Sequence, residues 1–134
     1  MKNQYTNIVL ALVFMTMLSA CGTSTKAKYV RDGYMKTINN TVTLGVLFDS
    51  QSSRRTLWKV CTLEDDRWSD KEYSLIEAYL ESSGQSIAVQ FVMVDVTHSF
   101  ELQGATVDGQ FVDAEYLIQK MYSDYGTKEL ALAQ

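Results

Sequence analysis

Ser86-Ile87-Ala88-Val89-Gln90-Phe91-Val92-Met93-Val94-Asp95-Val96 is the stretch on which the fold turns. Its β-branched and aromatic side chains favour extended backbone. In a strand, successive side chains point to opposite faces. Ile87, Val89, Phe91 and Met93 therefore share one face, and Ala88, Val92, Val94 and Val96 share the other. A strand with one wet face would alternate apolar with polar. Apolar groups on both faces predict a central strand, covered on both sides for at least part of its length.

Downstream, Phe100 to Val107 reads as a further strand. Asp108-Gly109 is a hairpin-turn pair, because a two-residue hairpin turn needs positive φ at both positions, and Gln110-Phe111-Val112 is the short return. Asp113 can cap a helix on which Ala114, Leu117, Ile118, Met121, Tyr122 and Tyr125 recur at helical spacing. Gly126 is the expected stop, leaving 127–134 as a loose tail.

Upstream, Ser69-Asp70-Lys71-Glu72 has the spacing of a capping box. It predicts a helix with Tyr73, Ile76 and Leu80 inward, flanked by Leu75 and Tyr79, and stopped by Ser82-Ser83-Gly84. Thr56 to Leu63 reads as a strand. Thr41 to Phe48 reads as another, with Val42, Leu44, Val46 and Phe48 on one face. The polar link between them suggests a hairpin. The expected fold is α+β: a small two-layer sandwich with a mixed or antiparallel sheet of about four to five strands and two helices. The chain has no proline, so its turns rest on Gly, Asp, Asn and Ser.

The chain is 134 residues long, 46% hydrophobic and 21% charged, a balance that suits one domain. It carries 12 basic and 16 acidic side chains, a net charge of −4. Lys2 is the sole charge among the first twenty residues, so their removal leaves −5. Phosphate binding needs clustered Lys and Arg, so this balance argues against a nucleic-acid partner. No Gly-rich phosphate loop, metal-spaced cysteine set or dinucleotide fingerprint is present, and no metal or cofactor is expected.

After Lys2 comes the apolar run Ile8-Val9-Leu10-Ala11-Leu12-Val13-Phe14-Met15-Thr16-Met17-Leu18, then Leu18-Ser19-Ala20-Cys21. The run is of signal-peptide length and short for a membrane span. The four-residue site resembles the lipobox of bacterial lipoproteins: Leu, small, small, Cys. That resemblance implies cleavage of 1–20, diacylglycerol on the Cys21 thiol and acylation of the new amine. It also favours the outer membrane, since Gly22 is not the Asp that retains such proteins in the inner membrane. Several chains are needed for retention, because a single acyl chain holds only reversibly. The small polar stretch from Cys21 to Lys28 reads as a flexible tether of roughly 25 Å reach, and 29–126 as the domain.

The remaining candidates carry weaker signals. Cys61 is the thiol left over once Cys21 is lipidated. It is expected to be a buried, inert strand residue, with an intermolecular disulfide as the alternative. His98 is the sole histidine, so any Cys-His or Ser-His pair depends on it; a turn position is expected. Glu64, Asp65, Asp66 and Asp70 lack a calcium-loop ladder and suit the start of a helix. Trp58 and Trp68, with Arg54 and Arg55 in a loop, are the candidate contact residues. Trp68 is either an exposed contact or a staple packing on Tyr73.

The expected function is a non-enzymatic binding or assembly module facing the periplasm, accessory to a secretion, conjugation or pilus apparatus through an envelope protein partner. The alternative is an immunity, surface-exclusion or phage-exclusion lipoprotein. A small hydrolase is the remaining reading, disfavoured by the single histidine.

Overall fold

Residues 86–94 lie in the middle strand of a five-stranded antiparallel meander. The computed structural model of the protein describes residues 25–62 and 73–133. In chain order the elements are α1 (Ala27–Arg31), α2 (Leu44–Gln51), β1 (Leu57–Thr62), β2 (Tyr73–Ser82), β3 (Gln85–Val94), β4 (Phe100–Val107), β5 (Gln110–Val112) and α3 (Ala114–Ala133). The strands neighbour one another in sequence order, every pair antiparallel. The protein is thus a small α+β fold.

Two tight turns set the register. Asp108 and Gly109 both have positive φ, 51° and 81°, and join β4 to β5. Ser83 and Gly84, at 53° and 77°, do the same between β2 and β3, pairing Ser82 with Gln85. Glycine suits the second position of each because it has no Cβ to clash there.

One face of the sheet is packed by helices. Ile76, Ala78 and Leu80 of β2 and Val89, Phe91 and Met93 of β3 meet Leu44, Leu47 and Phe48 of α2 and Ile118 and Met121 of α3. Phe91 sits among them, 6.3 Å from the Phe48 ring and edge-on to Phe100 at 5.8 Å. Each large side chain so buried contributes about 1.5–3 kcal/mol by leaving water. Along α3 the expected stripe is inward through Tyr125, and Asp113 Oδ1 accepts from the Tyr116 amide at 3.1 Å as its cap.

Three local expectations are corrected. Thr41 to Phe48 is not a strand, and no hairpin joins it to β1. Thr43 Oγ1 accepts from the Val46 amide and starts α2, which buries Leu44, Leu47 and Phe48 at helical spacing and leaves Val46 51% exposed. Residues 73–82 are not a helix. They form β2, paired along its whole length with β3 and also with β1, and the expected helix stop is the β2–β3 turn. Ser69 and the rest of the capping box lie outside the described residues. Finally, α3 does not stop at Gly126 but runs on to Ala133. Its docked stripe ends at Tyr125; beyond that, Lys128 Nζ donates to the Ser50 carbonyl at 3.1 Å.

The expected tether is also shortened. Thr25 and Lys26 form a turn and α1 begins at Ala27, because Ala27 and Val30 are buried in the core. Lys26 Nζ pairs with Asp95 at 3.0 Å and holds this start to the end of β3.

Candidate functional site

The other sheet face carries a polar row that the strand register assembles. Lys59 of β1 pairs with Glu77 of β2, and Glu77 pairs with Gln90 of β3. Apolar or small neighbours frame the row: Leu75, Ala88, Val92 and Cys61 are buried on the same face. Among the described residues no helix contributes to this face; α1, α2 and α3 bury their side chains in the core on the opposite side.

Glu77 and Gln90 are both fully buried. Gln90 Nε2 donates to Glu77 Oε1 at 2.7 Å, and the Tyr79 hydroxyl donates to Glu77 Oε2. The Lys59 ammonium lies 5.4 Å from the centre of the Tyr79 ring. Burial pushes the Glu77 carboxyl up to about 7, against the lowering effect of the Tyr79 and Gln90 hydrogen bonds and the Lys59 charge. Burial likewise raises the Tyr79 hydroxyl, as do its hydrogen bond to Glu77 and the charge there. Gln90 Oε1 has no hydrogen-bond partner among the described residues. The cluster can therefore hold or release a proton near neutral pH. Glu77 itself is fully enclosed, while Tyr79 and Lys59 are partly exposed.

A groove of about 590 Å³ lies between the end of α2, the β2–β3 turn and α3. Ser50, Ser52, Ser83, Lys120, Asp124 and Lys128 line it. Among the described residues, neither Cys61 nor His98 lines it.

The residues singled out in the sequence fall apart in space. Cys21 and Trp68 lie outside the described residues, as do Glu64, Asp65, Asp66 and Asp70. Trp58 is half-buried and stacks on Phe48 at 5.7 Å, so packing against α2 accounts for it. Arg54 and Arg55 are exposed between α2 and β1, where Arg54 lies 3.6 Å from Glu81, a surface pair worth ~0–1 kcal/mol. Cys61 is buried, as expected, but it is disulfide-bonded, which corrects the reading of an inert free thiol. His98 sits in the exposed turn between β3 and β4 with φ 60°, stacked on Tyr29 at 3.7 Å. Neither Cys61 nor His98 is thereby set up as half of a nucleophile–base pair.

The sequence reading missed Glu77, Tyr79 and Gln90 as a unit. The one signal for it was a glutamine inside the strongest strand; its partner emerges only once β2 is a strand in this register.

No group of three metal-ligating side chains occurs among the described residues, and no described helix is long and apolar enough to cross a membrane. No protein-family model matches the chain, and no curated protein or solved structure matches it either.

Proposed function

We propose that the chain is the precursor of a lipoprotein, held by acyl chains on Cys21 at the outer membrane, whose domain is a non-enzymatic binding module for an envelope protein on the periplasmic side. The observation that carries this is the position of Leu18-Ser19-Ala20-Cys21 relative to the fold. The first described residue, Thr25, follows the lipid-bearing cysteine by four residues. A signal peptide, a lipid site and a folded domain thus succeed one another without spare chain. At ~3.5 Å per residue the link reaches roughly 14 Å, so the domain is held against the headgroups rather than on a long leash.

Two features of the domain support binding over catalysis. The sole histidine, on which histidine chemistry would depend, is engaged by the Tyr29 ring. The edge strand β1 pairs only with β2 among the described residues, and its Leu57 is 60% exposed beside Arg54 and Arg55. An extended acidic segment of a partner can add to such an edge, with backbone hydrogen bonds for affinity and the arginines for charge.

Lipidation has a chemical consequence for Cys61. The chain has one other cysteine, Cys21, and a sulfur carrying a thioether cannot also carry a disulfide. The mature lipoprotein therefore has Cys61 either reduced or joined to another molecule.

The test is metabolic labelling with a fatty acid, in the wild-type protein and in Cys21→Ser. The wild type takes up label and fractionates with membranes; the variant does neither and retains residues 1–20. An unlabelled wild-type protein containing a Cys21–Cys61 disulfide in its mass spectrum refutes the proposal. A photo-crosslinker at Leu57 then captures one dedicated partner in cells. Capture of bulk envelope proteins alone refutes the binding role while leaving the anchor intact.

A further inference from the structure

We infer that one end of the domain, built from α1 and the β3–β4 turn, lies on the anionic headgroups of the membrane that holds the protein. The inference rests on the lipoprotein reading above and adds an orientation to it.

Two contacts join the turn to α1. Lys26 pairs with Asp95 at 3.0 Å, and the Tyr29 ring stacks on His98 at 3.7 Å and 12°. Together they make one surface from residues 26–31 and 95–99. Lys28 and Arg31 are exposed on the last turn of α1, Tyr29 is 38% exposed, and Val96 stands out at the apex of the turn, 81% exposed. This is an amphipathic set: basic heads, an aromatic ring of the kind that suits a headgroup layer, and one apolar tip.

The chain itself selects the occupant. Cys21 precedes Thr25 by four residues, so acyl chains on that sulfur bring this end of the domain to the bilayer before any other. Charge points the same way. Residues 25–36 hold four basic side chains and one acid, whereas 37–134 hold seven basic and fifteen acidic. An anionic surface attracts the first group and repels the second, so a domain on a short link turns its basic end down. Asp32 and Asp95 partly offset the basic side chains, at 3.3 Å from Arg31 and 3.0 Å from Lys26. The net attraction is modest and depends on the anchor to hold the domain in range.

The experiment is amide hydrogen exchange on the acylated protein reconstituted into vesicles of phosphatidylethanolamine with phosphatidylglycerol, or of phosphatidylcholine alone. In the phosphatidylglycerol vesicles, exchange slows over 28–32 and 95–99 and is unchanged in α3. The double variant Lys28→Glu/Arg31→Glu loses that protection, since each basic side chain at such a surface changes occupancy about fivefold. Val96→Ser weakens it in the same phosphatidylglycerol vesicles, a second test that touches no charge. Equal protection in the two wild-type preparations, or protection confined to the β1 edge or α3, overturns the inference. Acylation is scored on the same samples by intact mass. A chain without acyl groups refutes the lipoprotein reading, whereas an acylated chain without lipid-dependent protection refutes the orientation alone.

Discussion

Replacing Glu77 by glutamine should remove a pH dependence of stability that runs opposite to that of most carboxylates. The folded protein holds the Glu77 carboxyl near 7, through burial that outweighs the Tyr79 and Gln90 hydrogen bonds and the Lys59 charge. The unfolded chain releases the same proton near its ordinary 4.5. Between those values the native state binds more protons than the unfolded state, so stability falls as pH rises. The contribution is fully present below about 4.5, is lost progressively up to about 7, and changes no further above that. Near pH 6 the slope is about 1.2 kcal/mol per pH unit, and from pH 5.5 to 8 the loss totals ~2 kcal/mol. Glutamine keeps the volume and an oxygen for the Tyr79 hydroxyl; its amide nitrogen then faces the Gln90 amide, which turns over so that Gln90 Oε1, without a partner among the described residues, accepts from it. The assay is urea unfolding of wild type and Glu77→Gln at half-unit steps from pH 5.5 to 8. Other titrating groups cancel in the difference between the two proteins. That difference should move by ~2 kcal/mol in favour of the variant as pH rises. Parallel curves would mean that Glu77 is ionised in the folded protein at all these pH values, and the account of the buried row would be wrong.

Three further substitutions probe the packing. Phe91→Ala should cost about 3–5 kcal/mol in urea unfolding, because Phe91 is fully buried between Phe48 and Phe100; a loss under 1 kcal/mol would show that the site collapses around the gap. Gly45→Ala should cost about 1–3 kcal/mol and lower the melting temperature, since a Cβ there would stand 2.5 Å from Arg31 Cγ and 2.9 Å from its carbonyl oxygen; an unchanged melting temperature would place α1 farther from α2 than described. Tyr122→Phe should cost about 1 kcal/mol, because the hydroxyl of this buried ring donates to the Val42 carbonyl at 3.0 Å across the loop leading into α2; faster amide exchange in that loop is the accompanying sign.

The sequence by itself determined the right-hand half of the sheet and the helix that follows. Residues 86–112 declare themselves because their β-branched and aromatic run favours extended backbone on both faces and their turn, Asp108-Gly109, suits a two-residue hairpin. The first three turns of α3 declare themselves because their stripe has a period that no strand can satisfy. Residues 41–48 and 73–82 fit both periods at once. Leu44, Val46 and Phe48 alternate, yet Leu44, Leu47 and Phe48 also share a helix face; Ile76 and Leu80 serve either geometry. Only the tertiary structure decided between them, through the Thr43 cap and the core of α2 in one case, and through pairing of β2 with two neighbours in the other. The same holds for the buried polar row. Glu77 on a helix would face water, as glutamates do; register against Lys59 and Gln90 takes it inside, and register is a property of three strands that none of them contains alone.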